Sequence, residues 1–187
     1  MNSPLTILGI AGSLRQGSYN RMALRAAQQL VPEGANAKIE IFDLLGIPVF
    51  NQDDEKTPPA AVTEFKKRIR AADAILIATP EYNYSVAGVL KNAIDWASRP
   101  YGDSAWNDKP VAIISASGGV LGGARAQYHL RQSFIFLNMH PLNLPEVMIA
   151  KAQEKFDANG NLTDDAAKKL IQQLLQNLVD WTRRLAK

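Results

Sequence analysis

The sequence predicts a doubly wound α/β domain: a parallel sheet of five strands in the order 2-1-3-4-5, with helices on both faces. Three observations predict it. Short β-rich apolar runs alternate with segments of helical periodicity along the chain. Three of those runs are almost unbroken in apolar residues, the pattern of parallel strands covered on both sides. The 187 residues carry no internal repeat, linker or low-complexity stretch, so a single domain over residues 1–187 is expected, burying about 70% of its unfolded surface.

The first strand is LTILGIA, Leu5 to Ala11. A helix over Asn20 to Leu30 follows, with Met22, Ala23, Ala26, Ala27 and Leu30 on one face. AKIEIF (Ala37 to Phe42) is the second strand. Thr57-Pro58 reads as a helix cap followed by proline at the first helical position, after which Val62, Phe65, Ile69 and Ala72 mark a buried face. AILIAT (Ala74 to Thr79) is the third strand, and Val86 to Ala97 a helix with Val89, Leu90, Ala93, Ile94 and Ala97 inward. VAIISAS (Val111 to Ser117) is the fourth strand, and a helix over Gly123 to Phe136 follows it. LNLPEVMIA (Leu142 to Ala150) is the weakest run: Pro145 lacks an amide N–H, which places this strand at an edge. The last helix, Asp164 to Ala186, carries Leu170, Ile171, Leu174, Leu178, Trp181 and Leu185 on one stripe. Right-handed crossovers then put the ligand crevice beyond the carboxyl ends of the strands, where the winding direction switches between strands 1 and 3.

Composition removes several classes of function. There is no cysteine, so disulfides, thiolate catalysis and cysteine-ligated metals are excluded, and a reducing cytoplasm is the expected compartment. No apolar run approaches the roughly 20 residues of a membrane span, and MNSPLTILGI lacks the charged start of a signal peptide. The net charge is +3. The basic residues are scattered, and KKRIR (Lys66 to Arg70) reads as a solvated helix face, which argues against nucleic-acid binding. The acidic Asp53 to Glu55 read as a solvated loop, and Lys91 with Asp95 as a surface pair four residues apart. His129 and His140 have no metal-ligand spacing, so no metal is expected. There is no G-x-S-x-G nucleophile elbow. A phospho-acceptor receiver would need an aspartate where Thr79 and Pro80 end the third strand.

The informative stretches are the loops after strands 1, 3 and 4. They are GSLRQGSYN (Gly12 to Asn20), PEYNYSVAG (Pro80 to Gly88) and SGGVLGG (Ser117 to Gly123). All three fall at the carboxyl end of the sheet, and all are rich in glycine, hydroxyl or amide groups. Gly12 and Gly17 are spaced as in a nucleotide phosphate loop, but Ser18 stands where that loop needs its lysine, and strands 3 and 4 end without a magnesium-binding carboxylate. The first loop opens a helix, whose N-terminus favours negative charge. Ser13, Ser18 and Asn20 add short polar groups, and Arg15 is the one full cation. This suits one compact phosphate rather than a triphosphate. The other two loops suit a flat amphipathic ring: Pro80 is rigid, Tyr82 offers an aromatic wall, Asn83 offers a donor and an acceptor, and Gly118 and Gly119 let backbone approach closely. A phosphate monoester joined to a flat heteroaromatic ring describes FMN.

GSLRQGSYN, TPEYNYSVAGVLKNAIDW (Thr79 to Trp96) and ASGG (Ala116 to Gly119), in that order and spacing, resemble the NAD(P)H-dependent FMN reductases, and the bacterial quinone and chromate reductase branch among them. The resemblance runs from about Leu5 to Met148. It implies a flavodoxin-like fold, non-covalent FMN, NADH or NADPH as co-substrate, and a homodimer or homotetramer. By position, Ser13, Arg15, Ser18, Tyr19 and Asn20 would hold the phosphate; Pro80, Glu81, Tyr82 and Asn83 would line the isoalloxazine; and Ser117, Gly118 and Gly119 would complete its rim. No side chain is expected to be catalytic, because flavin N5 carries the chemistry, and Glu81 is expected to act through its backbone. The resemblance also makes the helix bearing Arg125, Tyr128 and Arg131 a subunit interface, with Glu146 as an acidic partner. Expected acceptors are quinones, chromate, azo and nitro compounds. The alternative is a flavodoxin-type electron carrier that docks redox proteins. Such carriers are typically strongly acidic; this chain has a pI of 9.2 and an arginine in its phosphate loop, and both features favour the reductase.

Overall fold

The computed structural model describes residues 3–186. The parallel strands β1 (Leu5–Ala11), β2 (Ala37–Phe42), β3 (Ala74–Thr79) and, after the short hairpin strands β4 (Glu81–Tyr82) and β5 (Ser85–Val86), β6 (Pro110–Ala116) form the body of the sheet. The order is β2-β1-β3-β6, with the fifth position shared by β7 (His140–Pro141) and β8 (Val147–Ile149), both parallel to β6. The predicted order therefore holds, with one correction. The fifth strand is two short pieces, and the predicted run from Leu142 is interrupted over residues 142–146, around the proline that cannot donate to a ladder.

Side-chain alternation along the strands builds two cores. Ile7, Ala74, Leu76, Ala78, Ala112, Ile114 and Ala116 face one side. There α1 (Tyr19–Gln29) and α5 (Asp165–Leu185) cover the sheet. Leu8, Ile10, Ile75, Ile77, Val111 and Ile113 face the other side, under α2 (Ala60–Ala71), α3 (Gly88–Ala97) and α4 (Ala124–Phe136). Period-two alternation sends each strand's apolar set to both faces, and therefore β3 and β6 are buried throughout.

Five boundaries or faces depart from the sequence reading. Helix α2 starts at Ala60 with Pro59, not Thr57, at its N-cap, because a second proline holds Pro58 out of the helical region. Helix α3 starts at Gly88 rather than Val86, because Ser85 and Val86 are taken by the hairpin with Glu81 and Tyr82. On α5, Leu170 and Leu185 are exposed, and Leu175, Val179 and Thr182 are buried beside Ile171, Leu174 and Leu178. The KKRIR segment is not simply a solvated face. Lys66 is buried and donates to the Arg99 carbonyl and to Asp103, Arg70 reaches Asp103 at 2.6 Å, and Arg68 pairs with Glu40 at 2.8 Å. Glu55 likewise leaves the solvent to pair with Arg99 at 2.9 Å. The Lys91–Asp95 pair forms as expected, at 2.7 Å. Among the described residues, no helix is long and apolar enough to cross a membrane, and no cluster of three potential metal-ligating side chains occurs.

Candidate functional site

Parallel strands bring the loops that follow β1, β3 and β6 to one end of the sheet, and short bonds tie them together there. The Gly12 amide donates to the Ala78 carbonyl at 2.8 Å. Asn20 uses both ends of its side-chain amide on Ala116: Nδ2 donates to the carbonyl at 2.8 Å, and Oδ1 accepts from the amide at 2.9 Å. Ser117 and Gly119 are held from behind, by Ser117 N–H to Ile149 at 3.0 Å and by Lys151 N–H to the Gly119 carbonyl at 3.1 Å. The result is a cleft of about 280 Å³ between the three loops.

Ten of the twelve residues expected from sequence line that cleft: Ser13, Arg15, Ser18, Tyr19 and Asn20 from the first loop; Pro80, Glu81 and Tyr82 from the second; Ser117 and Gly118 from the third. Asn83 and Gly119 lie outside the lining. Asn83 is at the tip of the β4–β5 hairpin with φ 49°, and the Gly119 amide is turned to the Ser117 hydroxyl at 3.1 Å. Ala116, the first residue of the ASGG motif, is an additional lining residue that was not among the expected site residues.

The first loop has the features of an anion cradle. Ser18 is the N-cap of α1, is only 5% exposed, and makes no side-chain cap bond. A hydroxyl that normally satisfies a first-turn amide is thus unspent. The first α-helical bond runs from the Met22 amide to Ser18, so the amides ahead of it face out of the helix end. Ser13 is 6% exposed, with its hydroxyl accepting the Arg15 amide at 3.3 Å. The Arg15 side chain has no partner among the described residues and lies back over the loop, about 3.9 Å from where a side chain on Gly17 would begin. Asn20 contributes differently from the sequence expectation. Its side chain is a strut to β6, with one Nδ2 hydrogen and the Oδ1 engaged there.

The second loop is a hairpin fastened to α4. Glu81, its side chain 7% exposed, accepts from the backbone amides of Arg125 at 3.0 Å and Ala126 at 3.3 Å, and from Arg125 Nε at 2.5 Å. It therefore caps a helix whose own N-cap, Gly123, has no side chain. The Glu81 contact holds the Arg125 guanidinium above its ordinary pKa. Arg125 also lies over the Tyr84 ring, 3.5 Å from its centroid. Sequence reading gave Arg125 to a subunit interface and missed this intramolecular role, since Glu81 and Arg125 are 44 residues apart. Glu146, expected as a partner across subunits, takes the hydroxyl of its own chain's Tyr128 at 3.2 Å, and its negative charge raises the Tyr128 pKa.

A flavodoxin-like sheet with a phosphate-sized cradle at the β1–α1 turn, facing a prolyl and aromatic wall, defines the class of flavin-mononucleotide-type α/β proteins. Comparison with known proteins names the family. The profile of the NADPH-dependent FMN reductases matches residues 5–154. The chain is 59% identical over 186 residues to the "NAD(P)H-dependent FMN reductase" of Pseudomonas aeruginosa, covering 99% of both chains. It is 46% identical over 186 residues to the "NADPH:quinone oxidoreductase" of Arabidopsis thaliana, covering 97% of this chain and 93% of the other. Among solved structures, the flavoenzyme "NAD(P)H:(acceptor) oxidoreductase" of Paracoccus denitrificans superposes with a TM-score of 0.85 at 37% identity, over 96% of this chain and 98% of that one. The chain belongs to the NADPH-dependent FMN reductase family and is an NAD(P)H-driven flavin oxidoreductase.

Proposed function

We propose that the protein holds FMN in the cleft and passes reducing equivalents from NADH or NADPH to small acceptors, quinones first among them, by a ping-pong sequence. The observation that carries this reading is the unspent hydroxyl of Ser18 at the α1 N-terminus beside the unpartnered Arg15. Together they offer a donor and a cation to a phosphate monoester, next to a wall of Pro80 and Tyr82 suited to a flat ring.

When bound, FMN would accept hydride from the nicotinamide and later deliver two electrons to the acceptor. The chain's own residues supply position. The Arg15 guanidinium and the Ser13 and Ser18 hydroxyls would anchor the phosphate, with first-turn amides of α1 behind them. Pro80, Tyr82 and the backbone of Ser117 and Gly118 would bound the ring, leaving one face for the nicotinamide and the acceptor in turn. Stacking two rings at about 3.5 Å is a positioning effect. Glu81 is committed to Arg125 and to two backbone amides, so it is not free to relay a proton, which supports a mechanism without a protein acid or base. The basic pI and the arginine in the phosphate loop favour this reading over an electron carrier.

A homodimer or homotetramer joined through α4 is part of the proposal. Its support is the apolar surface that α4 leaves uncovered, with Ile135 83% and Phe136 77% exposed. Light scattering giving a monomer at micromolar concentration with FMN bound would refute that part.

The functional test is a visible spectrum of the purified chain, stopped-flow bleaching by NADH and NADPH, and turnover over a benzoquinone, chromate, an azo dye and a nitro compound. Bleaching followed by reoxidation with a quinone and no partner protein is expected. No bleaching with either nicotinamide would return the chain to the electron carriers.

A further inference from the structure

The hairpin of β4 and β5 turns through two residues of positive φ, Asn83 at 49° and Tyr84 at 69°. A two-residue type I′ turn requires this at both central positions, which is why Asn-Gly is its favoured sequence. In this chain the second position is a tyrosine, a bulky side chain in a region that such residues seldom occupy. Backbone of this kind persists where the surroundings over-determine it, and it clusters at functional sites.

The surroundings lie on α4: His129 Nδ1 stands 3.1 Å from the Ser85 hydroxyl, the Ala126 amide donates to Glu81 at 3.3 Å, and Arg125 alone reaches both the turn and the first residue of the hairpin. Arg125 lays its guanidinium face over the Tyr84 ring at 3.5 Å, and its edge donates to Glu81 from Nε at 2.5 Å. Glu81 stands at the first residue of the hairpin and Tyr84 in its turn, so a single planar cation grips the hairpin at both places. Arg125 itself is anchored at the start of α4, where its backbone amide donates to the same carboxylate at 3.0 Å. The hairpin strand that bears Glu81 and Tyr82 is a wall of the cleft.

We propose that Arg125 is a positioning residue for the flavin wall: by clamping Tyr84 with its face and Glu81 with its edge, it holds the hairpin in its strained turn and so sets the ring-binding wall. Both features are needed together. A lysine keeps the charge opposite Glu81 but has neither a planar face nor a fork, and cannot serve two partners at once in this way. Replacing Tyr84 by glycine removes the strain that the clamp opposes. The reading of the wall's ligand rests on the proposed FMN site; the clamp itself does not.

The experiment compares wild type, Arg125→Lys, Arg125→Met, Tyr84→Gly and Tyr84→Gly/Arg125→Met. Amide hydrogen exchange is measured on the flavin-free chain, with FMN and riboflavin titrations beside it. Arg125→Met, which loses both the ion pair and the cation–π contact, should speed exchange of the Tyr82 to Val86 amides about tenfold, and Arg125→Lys, which keeps the charge but loses the planar stack and the fork, about threefold, with α5 unaffected. FMN and riboflavin should weaken by a common factor of about tenfold, because the wall and not the phosphate site is disturbed. In the Tyr84→Gly background, Arg125→Met should cost less than about threefold, since the turn no longer needs holding. If Arg125→Met fails to fold, Arg125→Lys carries the comparison. Unaltered hairpin exchange in the Arg125→Lys variant, or equal losses with and without Tyr84, would overturn the clamp. If wild type binds neither FMN nor riboflavin, the FMN reading falls, and hydrogen exchange still decides the clamp.

Discussion

Replacing Arg15 by alanine should weaken FMN selectively. The guanidinium has no partner among the described residues, so truncation leaves no buried group unsatisfied, and the stability of the fold should change by less than about 0.5 kcal/mol. A charge-assisted hydrogen bond to a phosphate is worth about 1.5–3 kcal/mol, which is roughly a tenfold to hundredfold loss of FMN affinity. Ser18→Ala should give a milder version of the same pattern. Its hydroxyl makes no cap bond, so the stability cost should fall below the typical cap value of about 1 kcal/mol. Asn20→Ala is the contrasting control. It removes both bonds to Ala116, orphans a buried amide and carbonyl at a cost of about 2–5 kcal/mol, and should weaken FMN and riboflavin alike. The assay is fluorescence titration of apoprotein with each flavin, with thermal unfolding of the same samples. Equal losses of FMN and riboflavin in Arg15→Ala would refute the assignment. A Ser18→Ala cost well above 1 kcal/mol without ligand would show the hydroxyl to be a cap after all.

Three further outcomes can be checked. Flavin reduction by NADPH should vary less than about tenfold between roughly pH 6 and 8.5, and Glu81→Gln should shift flavin affinity rather than introduce or remove a pH limb; a slope-one limb that vanishes in the variant would make Glu81 a proton carrier. Gly123→Ala should destabilise by about 2–4 kcal/mol, because φ is 91° there and a new Cβ would stand 2.8 Å from Ser115 Cβ; calorimetry showing a change under about 1 kcal/mol would contradict that reading. Asp164 caps α5 through the Ala167 amide at 2.8 Å, and its bond from Lys155 is the largest cause holding its carboxyl below the usual range. A depressed folded value means that its stabilisation is present above the unfolded pKa of about 4 and is lost as pH falls further. Asp164→Asn should therefore melt below wild type at pH 7, with the gap narrowing as pH falls below about 4, as thermal scans across that range would report.

What was legible in the sequence followed from how locally each feature is encoded. The four main strands announce themselves as apolar runs because both sheet faces are covered, and the three loops are visible because parallel winding sends them to one end. The β4–β5 hairpin was hidden because its turn is Asn83-Tyr84, where the usual signal is Asn-Gly, and its two-residue strands are too short for periodicity. The buried Lys66 was read as solvated because its partner, Asp103, is 37 residues away in sequence. Asn20 was correctly placed at the cleft, but its neighbour Ala116 is 96 residues distant, and no local pattern announces that its side chain is already engaged. The Glu81–Arg125 cap was out of reach for the same reason: helix caps are sought within four residues of the helix start, and this one arrives from another loop.

The interruption over residues 142–146 also bears on how copies of the chain can meet. A sheet that ends in a long, flat strand offers a row of free backbone groups on which another chain can crystallise, the usual route to edge-to-edge aggregation. Here that border is cut into a two-residue and a three-residue piece, too short to template a ladder. At the opposite border, β2 carries Lys38 and Glu40, paired at 2.5 Å, and Glu40 is also held by Arg68. Both margins of the sheet are thereby guarded, one by brevity and one by charge. Self-association of the folded protein is left to its helical faces, and a variant that restored a continuous fifth strand should trade solubility for regularity.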